Sequence, residues 1–243
     1  MFMFRRLIDG FVDIIYPKTC VACKSKFTGA SADNLICAKC WGKIKRNTPP
    51  FCHCCGRHLD KKSFSKNICP DCLRAKLHFD RAFSPCVYEG VIKELIQEFK
   101  YKNKDYLGSP LSKLMIQFIK EYRMPMDYLD YIVPVPLHKT KLREREFNQA
   151  ELLSRHIANE FKKDLLTDLL YRHRHTKTQT ELEIQQRLEN VRNSFSVVKF
   201  RNIKGKNLLL VDDVLTTGAT SSEAAATLKN AGANIVFVLT LAN

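Results

Sequence analysis

A chain of 243 residues is long enough to bury a sizeable core. Its 40 Lys/Arg against 25 Asp/Glu give a formal charge of +15 at pH 7, which points to a polyanionic partner or to a solubilising surface. No apolar run approaches the length of a membrane span and no low-complexity tract is present, which excludes a helical integral membrane protein and a disordered chain.

Residues 1–19 are expected to form an amphipathic helix, with Phe4, Leu7, Ile8, Phe11 and Ile15 at helical spacing. Such a helix either packs on the rest of the protein or anchors it peripherally at a membrane surface; its thin Lys/Arg face favours packing. Arg5, Arg6, Asp9 and Asp13 interrupt its apolar residues, so the segment does not read as a secretory leader. A cytoplasmic location, peripheral at most to the inner face of the membrane, is therefore expected.

Residues 20–78 hold nine cysteines, eight of them in four C-x2-C knuckles: Cys20/Cys23, Cys37/Cys40, Cys52/Cys55 and Cys69/Cys72. Thiols stay reduced in a cytosolic setting, so these predict metal rather than disulfides. Eight thiolates suffice for two tetrahedral Zn²⁺ sites with closed, structural shells. Sequential pairing gives Cys20/Cys23/Cys37/Cys40 and Cys52/Cys55/Cys69/Cys72; a cross-braced pairing of the first knuckle with the third is the alternative. Cys54 lies inside a knuckle, where the x2 spacing favours Cys52 and Cys55 over it. Cys86 sits in an apolar run and reads as core. This part has few long apolar runs, so metal binding is expected to supply much of its folding energy. Residues 1–78 carry 15 Lys/Arg against 5 Asp/Glu and the remainder 25 against 20, which concentrates the basic excess on the zinc part.

Residues 79–243 show strands alternating with helices. Strands are expected at Phe83–Tyr88, Tyr131–Val135, Leu208–Val211 and Ile235–Leu241. Helices are expected at Val91–Tyr101, Leu107–Glu121, Asn148–Phe161 and Ser221–Ala231, with Pro136–Arg145 as a basic loop. The pattern predicts an α/β domain: a mostly parallel sheet with helices on both faces and right-handed crossovers. Ligands in such sheets lie beyond the carboxyl ends of the strands.

The most informative stretch is Leu208–Val211 followed by Asp212-Asp213-Val214-Leu215-Thr216-Thr217-Gly218-Ala219-Thr220. A strand, a hydroxyl-rich turn and a helix start make an anion site, because the first helical N–H groups lack partners and the dipole favours negative charge. Thr216, Thr217 and Thr220 add hydroxyls, Ala219 belongs to the same loop, and Gly218 permits close backbone approach. Two carboxylates cannot hold a phosphate but can accept hydrogen bonds from a diol. Phosphate beside diol describes a ribose 5-phosphate.

This segment resembles the phosphoribosyl-diphosphate (PRPP) motif of type I phosphoribosyltransferases. There the acids take the ribose hydroxyls and the Thr loop takes the 5-phosphate. With the knuckles, almost the whole chain resembles the ComF-type competence proteins, double zinc ribbons joined to a type I phosphoribosyltransferase-like domain. The further segments are Phe99-Lys100-Tyr101-Lys102, Val133-Pro134-Val135-Pro136-Leu137-His138, Arg145-Glu146-Phe147-Asn148-Gln149-Ala150, and Thr176–Thr180 with Arg187, Asn190, Val191 and Phe195. Glu146 stands where the family usually has Gly. The resemblance implies handling of incoming single-stranded DNA on the cytoplasmic side during natural transformation.

Three readings compete. A DNA-handling protein would follow a phosphate backbone with its zinc part and basic segments. Trp41, Phe51, Phe64 and Phe79 would then either stack bases or fill the small core around the metal. A phosphoribosyltransferase would take PRPP with Mg²⁺ and stabilise departing pyrophosphate. Lys139, Arg143 and Arg145 are placed for that, as is Arg187 in a lid-like stretch from Arg172 onward; no residue set reads an acceptor base. An interaction module would dock on a helicase or an inner-membrane DNA channel component.

Overall fold

The computed structural model describes residues 19–26, 35–60, 67–101, 104–174, 191–198 and 202–243. The expected N-terminal helix, Phe64, Lys102, Thr176–Thr180, Arg187 and Asn190 lie outside them.

The larger domain centres on a five-stranded parallel sheet of order β1-β7-β6-β2-β3, formed by β1 (Arg81–Phe83), β2 (Tyr131–Pro134), β3 (Asp164–Leu165), β6 (Asn207–Val214) and β7 (Ile235–Ala242). Strands β4 (Leu170–Arg172) and β5 (Phe195–Val197) form a separate antiparallel pair. β6 is central, pairing β2 on one side and β7 on the other. Its unbroken run Leu208–Val211 is fully buried, as expected of a strand covered on both faces.

Each face has its own core. Leu209 and Val211 share one with α3 (Gly90–Lys100), α4 (Gly108–Glu121) and α6 (Gln149–Phe161); Leu208 and Leu210 share the other with α7 (Ala219–Asn230) and the β4/β5 pair. The strand period of two separates them. The helices have the apolar stripes the sequence predicts: α3 buries Ile92, Leu95, Ile96 and Phe99, and α6 buries Leu153 and Ile157.

Two expectations are corrected. The first strand is not Phe83–Tyr88 but Arg81–Phe83: Pro85 lacks the N–H a ladder requires, and after it Cys86 makes only isolated bridges. The basic stretch expected as a loop contains a helix, α5 (Lys139–Arg145), whose first turn is capped by His138 Nδ1 accepting from Thr140 N at 3.3 Å. The helix stops at Glu146, which is left-handed (φ 65°) and closes the end through its N–H to Leu142 O. Glycine is favoured at such an end, which accounts for the family's usual residue there.

Candidate zinc and ribose-phosphate sites

The knuckles pair sequentially. Cys20, Cys23, Cys37 and Cys40 place their Sγ atoms within 4.8 Å of one another, and so do Cys52, Cys55, Cys69 and Cys72. Sγ separations of 3.9 Å (Cys23–Cys37) and 3.7 Å (Cys55–Cys69) are close to the ~3.8 Å that tetrahedral Zn–S bonds of about 2.3 Å require. Backbone N–H groups support one thiolate in each set: Cys37 N donates to Cys20 Sγ and Cys69 N to Cys52 Sγ. These donor sets fit Zn²⁺, which would cross-link each pair of knuckles and leave no position for water. Cys54 stays outside the set and offers its carbonyl to Ala82 N at 2.7 Å. Cys86 is fully buried, and burial pushes its thiol up to about 12. The short helices α1 (Ala38–Gly42) and α2 (Pro70–Arg74) each begin on the second knuckle of a set.

The aromatics near the knuckles pack rather than point outward. Phe51 meets Phe118 and Tyr122 of the α4 region edge-on at 5.9 and 5.2 Å, Phe79 is buried, and Trp41 lies against the main core.

Asp212 and Asp213 end the buried part of β6 and, as strand neighbours, address opposite faces of the sheet. Asp213 meets Lys100 at the end of α3, Nζ to Oδ2 3.0 Å, with both side chains largely buried. Burial lowers the Lys100 ammonium, but the Asp213 charge and hydrogen bond outweigh it and leave it above its ordinary value. Asp212 moves the other way. Burial first, then the Asp213 carboxylate, pushes it up to about 7, against the pull of Asp213 N, Lys100 and Arg172. Asp213 is thus paired with a lysine, while burial and its neighbour's charge hold Asp212 above the ordinary carboxylate range.

A cluster of cations surrounds the pair. Burial lowers Lys141, and Arg172 and Arg145 lower it further; burial also lowers Arg172, with Asp212 opposing and Arg145 adding to the effect. Arg145 lies over the Tyr101 ring at 5.5 Å and donates to Gln149 Oε1 at 3.1 Å. Gln149, itself buried, donates to Phe99 O at 3.2 Å, and Asn148 caps α6 while donating to Val135 O at 3.1 Å. The Asn-Gln pair after Phe147 thus ties the cation-bearing α5 to α3 and β2 and serves position rather than contact.

Of the residues expected near a pyrophosphate, Arg145 joins this cluster. Lys139 and Arg143 lie exposed one α5 face away, two residues out of step with Lys141 and Arg145. Arg187 lies outside the described residues. Lys100, Lys141 and Arg172 join Arg145 instead. The i,i+4 spacing of Lys141 and Arg145 is visible in the sequence; the approach of Lys100 and Arg172 depends on packing between α3, β4 and β6.

The Thr216–Thr220 segment, the candidate phosphate loop, has the strand-turn-helix course that the sequence predicts. Gly218 is left-handed (φ 77°) and starts α7, and Thr217 Oγ1 accepts from Ala219 N at 3.4 Å. A Cβ at Gly218 would crowd the Leu77 methyl at 3.3 Å and touch the Phe79 ring at 3.5 Å. Those two residues follow the second zinc set. From within that set Arg57 donates Nη2 to Thr216 O at 3.2 Å while Nη1 pairs with Asp71 at 2.8 Å, and His78 N donates to Ser222 Oγ at 3.0 Å.

Residues 11–73 match the double zinc ribbon domain family and residues 148–243 the phosphoribosyl transferase domain family. Competence protein F of Haemophilus influenzae is 29% identical over 226 residues, covering 92% of this chain and 96% of that protein. DNA utilization protein YhgH of Escherichia coli is 29% identical over 205 residues, covering 84% and 88%. The chain joins a double zinc ribbon to a phosphoribosyltransferase domain and is a homologue of the ComF-type competence proteins. Competence protein ComFC of Bacillus subtilis is 27% identical over 234 residues, covering 90% of this chain and 91% of that protein. In this chain the first thiolate set packs with the α3/α4 core and the second with the α7 core, so the two ribbons serve different faces of one sheet. Among the described residues no helix is long and apolar enough to cross a membrane.

Proposed function

We propose that this protein handles single-stranded DNA during its uptake, on the cytoplasmic side of the membrane, by seating one nucleotide unit in the ribose-phosphate site. The observation that carries the reading is the cation cluster of Lys100, Lys141, Arg145 and Arg172 around an Asp pair of which Asp213 is already paired with Lys100. A nucleotide whose 5′-phosphate sits on the Thr216–Thr220 loop and whose sugar sits on Asp212/Asp213 sends its 3′-phosphate toward that cluster. Fully ionised carboxylates would repel such a phosphate and would demand a 2′-hydroxyl that DNA lacks. The Lys100 partner of Asp213 and the raised Asp212 weaken both objections. The names of the homologues, competence and DNA utilization proteins, agree with this use.

The test is salt-dependent binding of an unphosphorylated oligothymidylate. Replacing Lys141 and Arg145 together by Ala should weaken binding about tenfold or more and flatten the log K against log salt slope by about 1.4, at roughly 0.7 per phosphate contact on a single strand. The same change at Lys139 and Arg143, on the other α5 face, should alter the slope by less than half as much. Equal effects from the two pairs would overturn the placement.

The same cluster would hold the pyrophosphate of PRPP, bound with Mg²⁺, which is the second reading, a phosphoribosyltransferase. The raised Asp212 separates the two. A ribose diol donates to an ionised carboxylate, so PRPP affinity should rise as pH goes from 6 through 7 to 8. A phosphodiester beside Asp212 favours the protonated form, so DNA affinity should fall over that range, by up to about tenfold per pH unit. Asp212→Asn should flatten either profile. PRPP binding that rises with pH, accompanied by pyrophosphate release on adding a base, would establish the enzyme.

A further inference from the structure

The phosphate loop has a second side. Between it and the second zinc ribbon lies a cavity of about 370 Å³, within the size range of small-molecule sites. Thr216, Thr217 and Gly218 form one wall; Arg57, Arg74, Lys76 and Leu77 form the other. We infer that this cavity binds the nucleoside esterified to the far side of the loop-bound 5′-phosphate, so that the site accepts an internal phosphodiester and not only a chain end. The inference rests on the nucleotide reading above and extends it by one unit in the 5′ direction.

Charge decides against a second phosphate as the occupant. Cys55 and Cys72 also line the cavity, and a Zn²⁺ held by four thiolates carries a net charge of −2. With Asp71 this balances Arg57, Arg74 and Lys76, leaving a cavity without net charge to offer an additional anion. Its remaining lining includes Leu77, Leu215 and Ala75, which suits a neutral ring. Arg57 is held at both ends, by Asp71 and by Thr216 O, so its guanidinium is fixed in plane and can present a flat face for stacking without further loss of freedom. The Thr216 carbonyl joins wall to loop, which makes occupation of the cavity and of the phosphate site geometrically coupled.

The test uses zinc-loaded, full-length protein and three ligands in calorimetric titration: thymidine 5′-monophosphate, thymidylyl-thymidine carrying one internal phosphate, and thymidine 5′-diphosphate. The dinucleoside should bind about tenfold more tightly than the monophosphate despite carrying less charge, as one stacked base provides. The diphosphate should show no such gain. Arg74→Ser with Lys76→Ser should remove the gain while leaving monophosphate affinity and zinc content unchanged. A dinucleoside that binds no better than the monophosphate would overturn the cavity assignment alone. A diphosphate that matches the dinucleoside would overturn it too, since charge would then explain the gain. Silence of all three ligands at millimolar concentration would remove the nucleotide reading itself.

Discussion

The two zinc ribbons have the same thiolate spacing and opposite duties. The first packs through Val21, Ile36 and Ile44 into the core shared by α3 and α4; its knuckle is tied to that domain by Lys24 to Glu98, with Lys24 more than half exposed, and the chain leaving it by Lys45, whose carbonyl accepts from Val87 N. The second is joined to the sheet and to the site by directional bonds: Ala82 N to Cys54 O, Asn243 Nδ2 to Cys55 O, and Arg57 to the phosphate loop. Gly56 sits so close to β1 that a Cβ there would lie 2.4 Å from Ala82 O. Apolar packing tolerates small shifts, whereas a set of hydrogen bonds fixes orientation, so only the second ribbon is built to set the loop's position. The same motif is a brace in one copy and a wall of the site in the other.

The strongest way to break this contrast is to remove each metal separately. Cys23→Ser and Cys69→Ser should each lower bound zinc from two ions to one. Structural zinc contributes on the order of 10 kcal/mol to such modules, so each loss should be visible as local unfolding by circular dichroism. Only Cys69→Ser should weaken ribose 5-phosphate binding, by about tenfold or more; Cys23→Ser should leave it within about twofold. Equal loss from both would show that the ribbons act as one block.

Much of this was legible in the sequence, and the failures have physical causes. The eight thiolates of the two clusters, the strand end at Asp212-Asp213 and the helix start after Gly218 are legible because each is local: ligand spacing, strand end and helix start lie within a few residues. Sequential knuckle pairing was the better of two readings, and the Sγ distances decide it. Pro136–Arg145 was mistaken for a loop because two prolines precede a seven-residue helix with no buried side chain, leaving no apolar period to detect. In a stretch that reads as a loop, no helix face separates Lys139 and Arg143 from Lys141 and Arg145. Arg57 carried no signal at all. Its partner Thr216 is 159 residues away, and only the fold brings them together.

The contrast can be sharpened more gently at Asn47, which lies between the two ribbons and is almost wholly buried. Its Nδ2 donates to Gly56 O at 2.8 Å and to Ser84 O at 2.9 Å, and its Oδ1 accepts from His58 N at 3.1 Å. One amide thus locks the second ribbon to the chain leaving β1. Asn47→Ala leaves two buried carbonyls and a part-buried N–H without this partner, at about 1 kcal/mol or more for each buried group, and should cost about 2–4 kcal/mol in denaturant unfolding. Asn47→Asp should be at least as damaging, because a carboxylate cannot donate to two carbonyls and would bury a charge. Lys24→Ala, which loosens the first ribbon's partly exposed tie, should cost less than about 1 kcal/mol. The two sites should also differ in kind. If the second ribbon positions the phosphate loop, Asn47→Ala should weaken ribose 5-phosphate binding even at temperatures where the protein is fully folded, whereas Lys24→Ala should change stability alone. A folded Asn47→Ala variant with unaltered affinity would mean that Arg57, Leu77 and Phe79 hold the loop without help from the lock behind them.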